Sequence, residues 1–165
     1  MGWKKKSYKP KGAAQQDSSV TFPLLHQDVL NTLEDAINPE PWFNHDANEQ
    51  DVINDYSTNI MGRFACRNPI CSSAGWGSKK IAIRIRGFEG SGYDAVVFKQ
   101  RCRACEQLGA MRIDENSYVE RVAYRLKKWA GIHQETPENR PPRGPPHESD
   151  LCEGCKAGFC PMRDI

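Results

Sequence analysis

Seven cysteines and one histidine constrain this chain more than anything else in it. Cys66 and Cys71 flank four residues, and Cys102 and Cys105 flank two. His147, Cys152, Cys155 and Cys160 follow at gaps of four, two and four. An odd number of cysteines leaves one thiol over in a closed disulfide framework. Seven thiols and one imidazole instead make eight ligands, the number that two tetrahedral Zn²⁺ sites require. Cys-x2-Cys repeated within one chain is a specific metal signal. The Cys66/Cys71 pair is wider, yet still within the ligand spacing of structural zinc sites. Gly154 and Gly158 fall between the last ligands, where tight chelating turns need backbone freedom. The expected grouping is Cys66, Cys71, Cys102 and Cys105 around one ion, with His147, Cys152, Cys155 and Cys160 around the other. Spacing alone also allows a cross-braced exchange of pairs. His26, His45 and His133 have no cysteine neighbours and read as ordinary histidines.

The segment between the first two pairs explains how they meet. In Lys79–Arg86 the isoleucines at 81, 83 and 85 alternate with small or basic residues, the period of a strand. This places Ile81, Ile83 and Ile85 inward and Lys80, Arg84 and Arg86 outward. Residues 87–92 carry three glycines and read as a turn. A return strand over Tyr93–Arg101 then delivers the chain to Cys102. An antiparallel hairpin brings its far ends together, so a thiolate pair at each end reaches one ion.

Two helices complete the expected architecture. Leu25, Val29, Leu33 and Ile37 recur at helical spacing over residues 23–37, with Pro23 suited to the first turn and Asn38-Pro39 to the stop. Asp114–Gly131 carries the stripe Tyr118, Val122, Leu126 and Trp129. Ser117 with Glu120 suggests a capping box, and Gly131 suggests the C-terminal stop. The first helix is expected to pack on the zinc module, and the acidic, Asn-rich loop after it, containing Trp42-Phe43 and running to about residue 59, to offset a basic face. The fold class is therefore α+β: a small zinc-stabilised domain with a β-hairpin or antiparallel sheet and two helices. The expected organisation is a disordered basic arm over 1–19, a helix and acidic loop over 20–59, a zinc-binding domain over 60–160 with a Pro-rich linker at 133–146, and a tail at 161–165. Mean hydropathy is −0.71 and only 38% of residues are hydrophobic, so metal is expected to supplement a lean core.

The net charge of +2 hides an asymmetry. Residues 13–60 hold nine acids and no Lys or Arg, whereas residues 61–131 hold fourteen Lys and Arg against six acids. The first twelve residues add five Lys. A basic surplus of this kind suits phosphates, and Lys80, Arg84, Arg86, Arg101, Arg103, Arg121 and Arg125 are the candidate contacts for RNA. Exposed aromatics such as Phe88 and Tyr93 are candidates for stacking on unpaired bases. The competing expectation is a protein-binding adaptor or chaperone-like helper that docks through the N-terminal helix or the Pro-rich linker. An enzyme is not expected, because all eight ligands are spent and a catalytic zinc keeps an open position. The zinc deaminase pattern is missing too, since Glu148 is adjacent to His147 and no proline precedes Cys152. No apolar signal or membrane-length run is seen, and close thiol pairs suit a reducing compartment, cytosol or nucleus. Met1-Gly2 is not read as a myristoylation signal, because Lys6 stands where that signal wants Ser or Thr.

Phe64-x-Cys66, Cys71, Trp76 with Ser78, the strand Ile81–Ile85, Gln100-Arg101-Cys102-x-x-Cys105, and the closing His147 with Cys152-Glu153-Gly154-Cys155-Lys156-Ala157-Gly158-Phe159-Cys160 together resemble the 3CxxC-type zinc-binding family. That family includes receptor-transporting proteins and zygote-arrest RNA-binding proteins. The resemblance covers roughly residues 60–160, and its one departure is the Cys-x4-Cys spacing of the first pair. It implies zinc binding. For activity it implies trafficking help in one branch and messenger-RNA binding in the other. The C-terminal membrane anchor of the trafficking branch is not seen here.

Overall fold

The computed structural model describes residues 17–135 and 146–162. The expectations for residues 1–16, for most of the Pro-rich linker (136–145) and for 163–165 lie outside the described residues. The elements are β1 (Ser19–Thr21), α1 (His26–Leu33), β2 (Trp42–Phe43), β3 (Asn54–Ala65), β4 (Trp76–Phe88), β5 (Gly92–Phe98), β6 (Ala110–Ile113), α2 (Glu115–Trp129) and α3 (Glu153–Ala157). The α+β class holds, but the hairpin is only part of a six-stranded sheet in the order β1-β5-β4-β3-β6. All its pairings are antiparallel except that of β2, which lies parallel to the start of β5, on Gly92 and Tyr93. β1 takes the other end of β5, pairing Ser19 with Phe98, so the sheet reaches into the expected basic arm.

The turn falls where its glycines place it, between Phe88 and Gly92, with Gly90 at φ 72°. The return strand stops at Phe98 rather than Arg101. Beyond it, Gln100 and Arg101 make isolated bridges to Cys152 and Leu108. The largest correction is β3. The sequence reads its first residues as acidic loop, yet the strand runs for twelve residues, ten of them paired with β4 from Asn54↔Gly87 to Phe64↔Trp76. Its inward side is sparsely apolar, with Ile60 and Phe64 as its buried hydrophobics, so the strand borrows its stability from β4. The register shifts between Ile60 and Gly62 opposite Lys79-Lys80, and the Ser78 hydroxyl accepts the Lys80 amide there.

One face of the sheet packs on both helices. Ile60, Phe64, Ile81, Ile83, Ile85, Tyr93, Ala95 and Val97 meet Leu25 of the 3-10 turn before α1, Val29 and Leu33 of α1, and Tyr118, Val119, Val122, Ala123 and Leu126 of α2. α1 ends at Leu33, short of the expected Ile37, because Glu34 and Asp35 take left-handed φ of 49° and 57°. α2 follows its stripe but caps differently. The Asp114 carboxylate accepts the Ser117 amide, while the Ser117 hydroxyl donates to the Asp114 carbonyl and accepts the Met61 amide. Ser117 thus ties the helix to β3 instead of capping it. At the other end Gly131 (φ 77°) closes the helix, with Gly131 N–H donating to Lys128 O and Ile132 N–H to Lys127 O.

The opposite face of β4 was expected to meet solvent, and it does not. Ala82, Val96 and Phe98 pack against Cys152, Cys155, Phe159, Cys160 and Met162. Gly154 sits so close that a Cβ there would lie 2.3 Å from Ala82 Cβ. The acidic turn Glu49–Asp51 covers the neighbouring stretch of the same face.

Candidate metal centres and the groove between them

β3 delivers Cys66 one residue past its end, and a turn held by Cys71 N–H to Asn68 O returns Cys71 beside it. Cys102 and Cys105 sit on a second turn, in which the Glu106 amide donates to Cys102 O and Cys102 N–H to Gln107 O. The two turns face each other, with Cys66 Sγ 3.5 Å from Cys105 Sγ and Cys71 Sγ 3.9 Å from Cys102 Sγ. In the second group His147 Nε2 lies 3.3 Å from Cys155 Sγ and 3.6 Å from Cys160 Sγ. Within each group of four the ligand atoms all lie within 4.8 Å of one another.

These spacings fit zinc. Tetrahedral Zn–S bonds of about 2.3 Å put sulfurs about 3.8 Å apart, and a Zn–N bond of about 2.0 Å puts nitrogen about 3.5 Å from sulfur. All seven cysteines are free thiols, so no disulfide competes for them. Each of the two groups can hold a zinc ion. The structure assembles the groups expected from spacing, not the cross-braced exchange.

The surroundings of the sulfurs point the same way. Cys102 is brought down to about 6, chiefly by the Cys105 amide, then by the Ala104 amide and the Ser73 hydroxyl against opposing burial. Cys66 goes the other way. The Asn68 amide lowers it, but burial and the thiols of Cys105, Cys71 and Cys102 push it up to about 12. In the second group the Cys152 and His147 contacts lower Cys160, while Cys160 and burial raise Cys152. In each group one thiol is lowered while another beside it, Cys66 in the first and Cys152 in the second, is raised, a conflict that a bound dication removes. Backbone and side-chain donors support the sulfurs: Cys155 N–H donates to Cys152 Sγ at 3.3 Å and Asn59 Nδ2 to Cys160 Sγ at 3.7 Å.

The second group is anchored to the sheet and to the first. Arg101 N–H donates to Leu151 O, and Glu153 N–H to Lys99 O. The Arg101 guanidinium pairs with Glu153 at 2.6 Å, and Arg103, between Cys102 and Cys105, pairs with Glu148 beside His147. Between the two groups lies a groove of about 1170 Å³. Its cations are Arg63, Lys79, Lys80, Arg101, Arg103 and Arg112, against the carboxylates of Asp114 and Glu148. Arg63 and Arg112 stand directly opposite each other across β3 and β6. Neither they nor Lys79 pairs with any described carboxylate.

The seven candidate phosphate contacts are thus dispersed. Lys80, Arg101 and Arg103 line the groove. Of Arg84 and Arg86, expected on an open face, the first is buried and the second half-buried. Arg84 holds Glu49 and Asp55, each at 2.6 Å, and lies 4.0 Å over the Phe159 ring. Arg86 holds Asp94 at 2.5 Å and Glu49 at 3.1 Å. Glu49 and Asp55 of the acidic segment neutralise Arg84 from the 3-10 turn and β3, while Arg86 is held chiefly by Asp94 of β5. Arg125 lies over the Tyr56 ring at 3.2 Å, and Arg121 is exposed on α2, away from the groove. Of the stacking candidates, Tyr93 is fully buried with its hydroxyl on His26 Nδ1, and Phe88 is buried as well. Sequence reading missed Arg63 and Arg112, because the pairing of β3 with β6 is what brings them together.

A family model for zinc-binding domains of the 3CxxC zinc-ribbon type matches residues 59–158. No curated protein and no solved structure matches the chain. Among the described residues no helix is long and apolar enough to cross a membrane.

Proposed function

The chain belongs to the 3CxxC zinc-ribbon family of zinc-binding domains, and from that premise we propose that it is a non-catalytic RNA-binding module whose contact surface is the groove between its two zinc sites. The observation that carries this reading is the cluster Arg63, Lys79 and Arg112. Like charges directly opposite on adjacent strands repel, and these have no described carboxylate to relieve them. A polyanion in the groove supplies that relief and releases its own counterions. Zinc at both sites contributes folding free energy, roughly 10–16 kcal/mol per site in finger peptides. Here it fixes the two walls of the groove. Four protein ligands at each ion leave no open position for catalysis. The free thiols suit a reducing compartment, cytosol or nucleus.

The test is RNA binding measured against salt. Three phosphate contacts give log K falling with log salt at a slope of about −2, at about −0.7 per contact on a single strand. Arg63→Glu with Arg112→Glu abolishes binding, and Arg121→Glu on the distant helix face leaves it intact. Absence of binding to any RNA pool at low salt refutes the proposal.

An adaptor role is the second reading, and Ile70 favours it. This residue is 92% exposed at the tip of the Cys66–Cys71 turn, next to Pro69. If it anchors a protein partner, capture of that partner survives nuclease and is lost in Ile70→Asp.

A further inference from the structure

Trp76 occupies an unusual place in the groove wall. Its indole stacks on Phe64 at 5.0 Å between centroids and 11° between planes. Its Nε1–H donates to Gln100 Oε1 at 3.1 Å. Gln100 is itself fixed, because its Nε2 donates to Ser78 Oγ at 3.0 Å and to Lys80 O at 3.4 Å. The far edge of the ring rests on Gly109, where a Cβ would come within 2.7 Å of it. One face and two edges of the indole are therefore immobilised by protein. What remains uncovered lines the groove, whose rim carries Arg63, Lys79 and Arg112.

We infer that Trp76 is the base-stacking platform of the groove, and that the ligand is a single-stranded RNA segment with one unpaired base laid on the indole. This deepens the RNA reading above and rests on it. A pre-oriented aromatic beside unrelieved cations matches the two demands of a single strand, π-faces for bases and positive charge for phosphates. A base in an A-form duplex offers no free face to such a ring. Gln100 acts as a positioning residue. Its polar groups are all engaged within the wall, so it orients the indole and does not read the base edge. Selectivity therefore follows stacking strength, purines above pyrimidines, and not a hydrogen-bond code.

The experiment uses the full chain loaded with zinc and labelled with 5-fluorotryptophan. The Trp76 ¹⁹F resonance is assigned by Trp76→Phe, which keeps an aromatic against Phe64. The probes are a twelve-nucleotide oligoadenylate, the same backbone without bases, the matching duplex, and inorganic polyphosphate. The expected result is a shift of the Trp76 resonance by oligoadenylate alone. Oligoadenylate binds about ten-fold tighter than the abasic strand, a typical gain for one stacked base. Trp76→Leu removes that preference and leaves polyphosphate affinity unchanged. Equal affinity for abasic and base-bearing strands, with an unmoved Trp76 signal, overturns the platform while leaving a cationic groove. No binding by any probe at low salt overturns the RNA reading itself.

Discussion

Replacing Gly154 with alanine tests how tightly the second zinc group is seated on the sheet. A Cβ at this position falls 2.3 Å from Ala82 Cβ, 3.4 Å from Phe98 Cβ and 3.5 Å from Cys160 Cβ. Carbon atoms pack at about 3.5–4.0 Å, so the first contact forces α3 away from β4 by more than about 1 Å. Overpacking of this kind costs about 1–3 kcal/mol. The helix preference for alanine over glycine returns up to about 1 kcal/mol. The net loss is about 1–2 kcal/mol, a factor of about 5–30 in the folded-to-unfolded ratio. Urea unfolding at fixed free zinc reads this directly. Ala82→Gly removes the opposing atom, so the double substitution Ala82→Gly/Gly154→Ala recovers most of the loss, and a double-mutant cycle isolates the coupling. If Gly154→Ala unfolds at the wild-type midpoint, or if the two changes simply add, then the knuckle does not rest on β4 as described.

Three further outcomes are expected. Asp94, 4% exposed, is the closest partner of Arg86, so Asp94→Asn costs up to about 3–5 kcal/mol by leaving that guanidinium with only the exposed Glu49 beside it. Glu49→Gln on the same network costs less than about 1 kcal/mol, since Glu49 is 64% exposed; equal losses in urea melts contradict the network. Burial lowers the pKa of His26 below 6.5, helped by His45 and opposed by Glu40. The unfolded chain therefore takes up that proton first. The contribution of His26 to stability is fully present above about pH 6.5 and is lost as pH falls toward the folded value. An NMR titration with the imidazole midpoint at or above 6.5 refutes this. Zinc analysis of the purified chain gives two ions, and Cys102→Ser retains one, held by His147, Cys152, Cys155 and Cys160; retention of both ions contradicts the four-ligand assignment.

What the sequence disclosed depended on whether periodicity or pairing carried the information. Ile81, Ile83 and Ile85 alternate, and Tyr118, Val122 and Leu126 recur at helical spacing, so β4 and α2 are visible as patterns. Ligand candidates are visible because zinc chelation by short turns fixes spacing along the chain. β3 is not visible: Asn54, Asp55 and Asn59 disfavour a strand, and its stability comes from β4, which no local window contains. The fate of Arg84 and Arg86 is hidden for the same reason. Their alternation with isoleucine puts them on the second face, but only the folded chain brings Glu49 and Phe159 over that face. The juxtaposition of Arg63 and Arg112 depends on β6, a four-residue edge strand without a pattern of its own.

The two ligand groups differ in reach. Cys66 and Cys105 are 39 positions apart, whereas His147 and Cys160 are 13 apart. Gathering the wider span costs about 1 kcal/mol more chain entropy if the strands between have not yet formed. On an unfolded chain short of metal, the compact tail loop closes on its ion at the smaller cost, while the distant quartet waits until β4 and β5 have zipped together. Scarcity therefore leaves a half-loaded species with a finished clasp at one end and an open seam at the other.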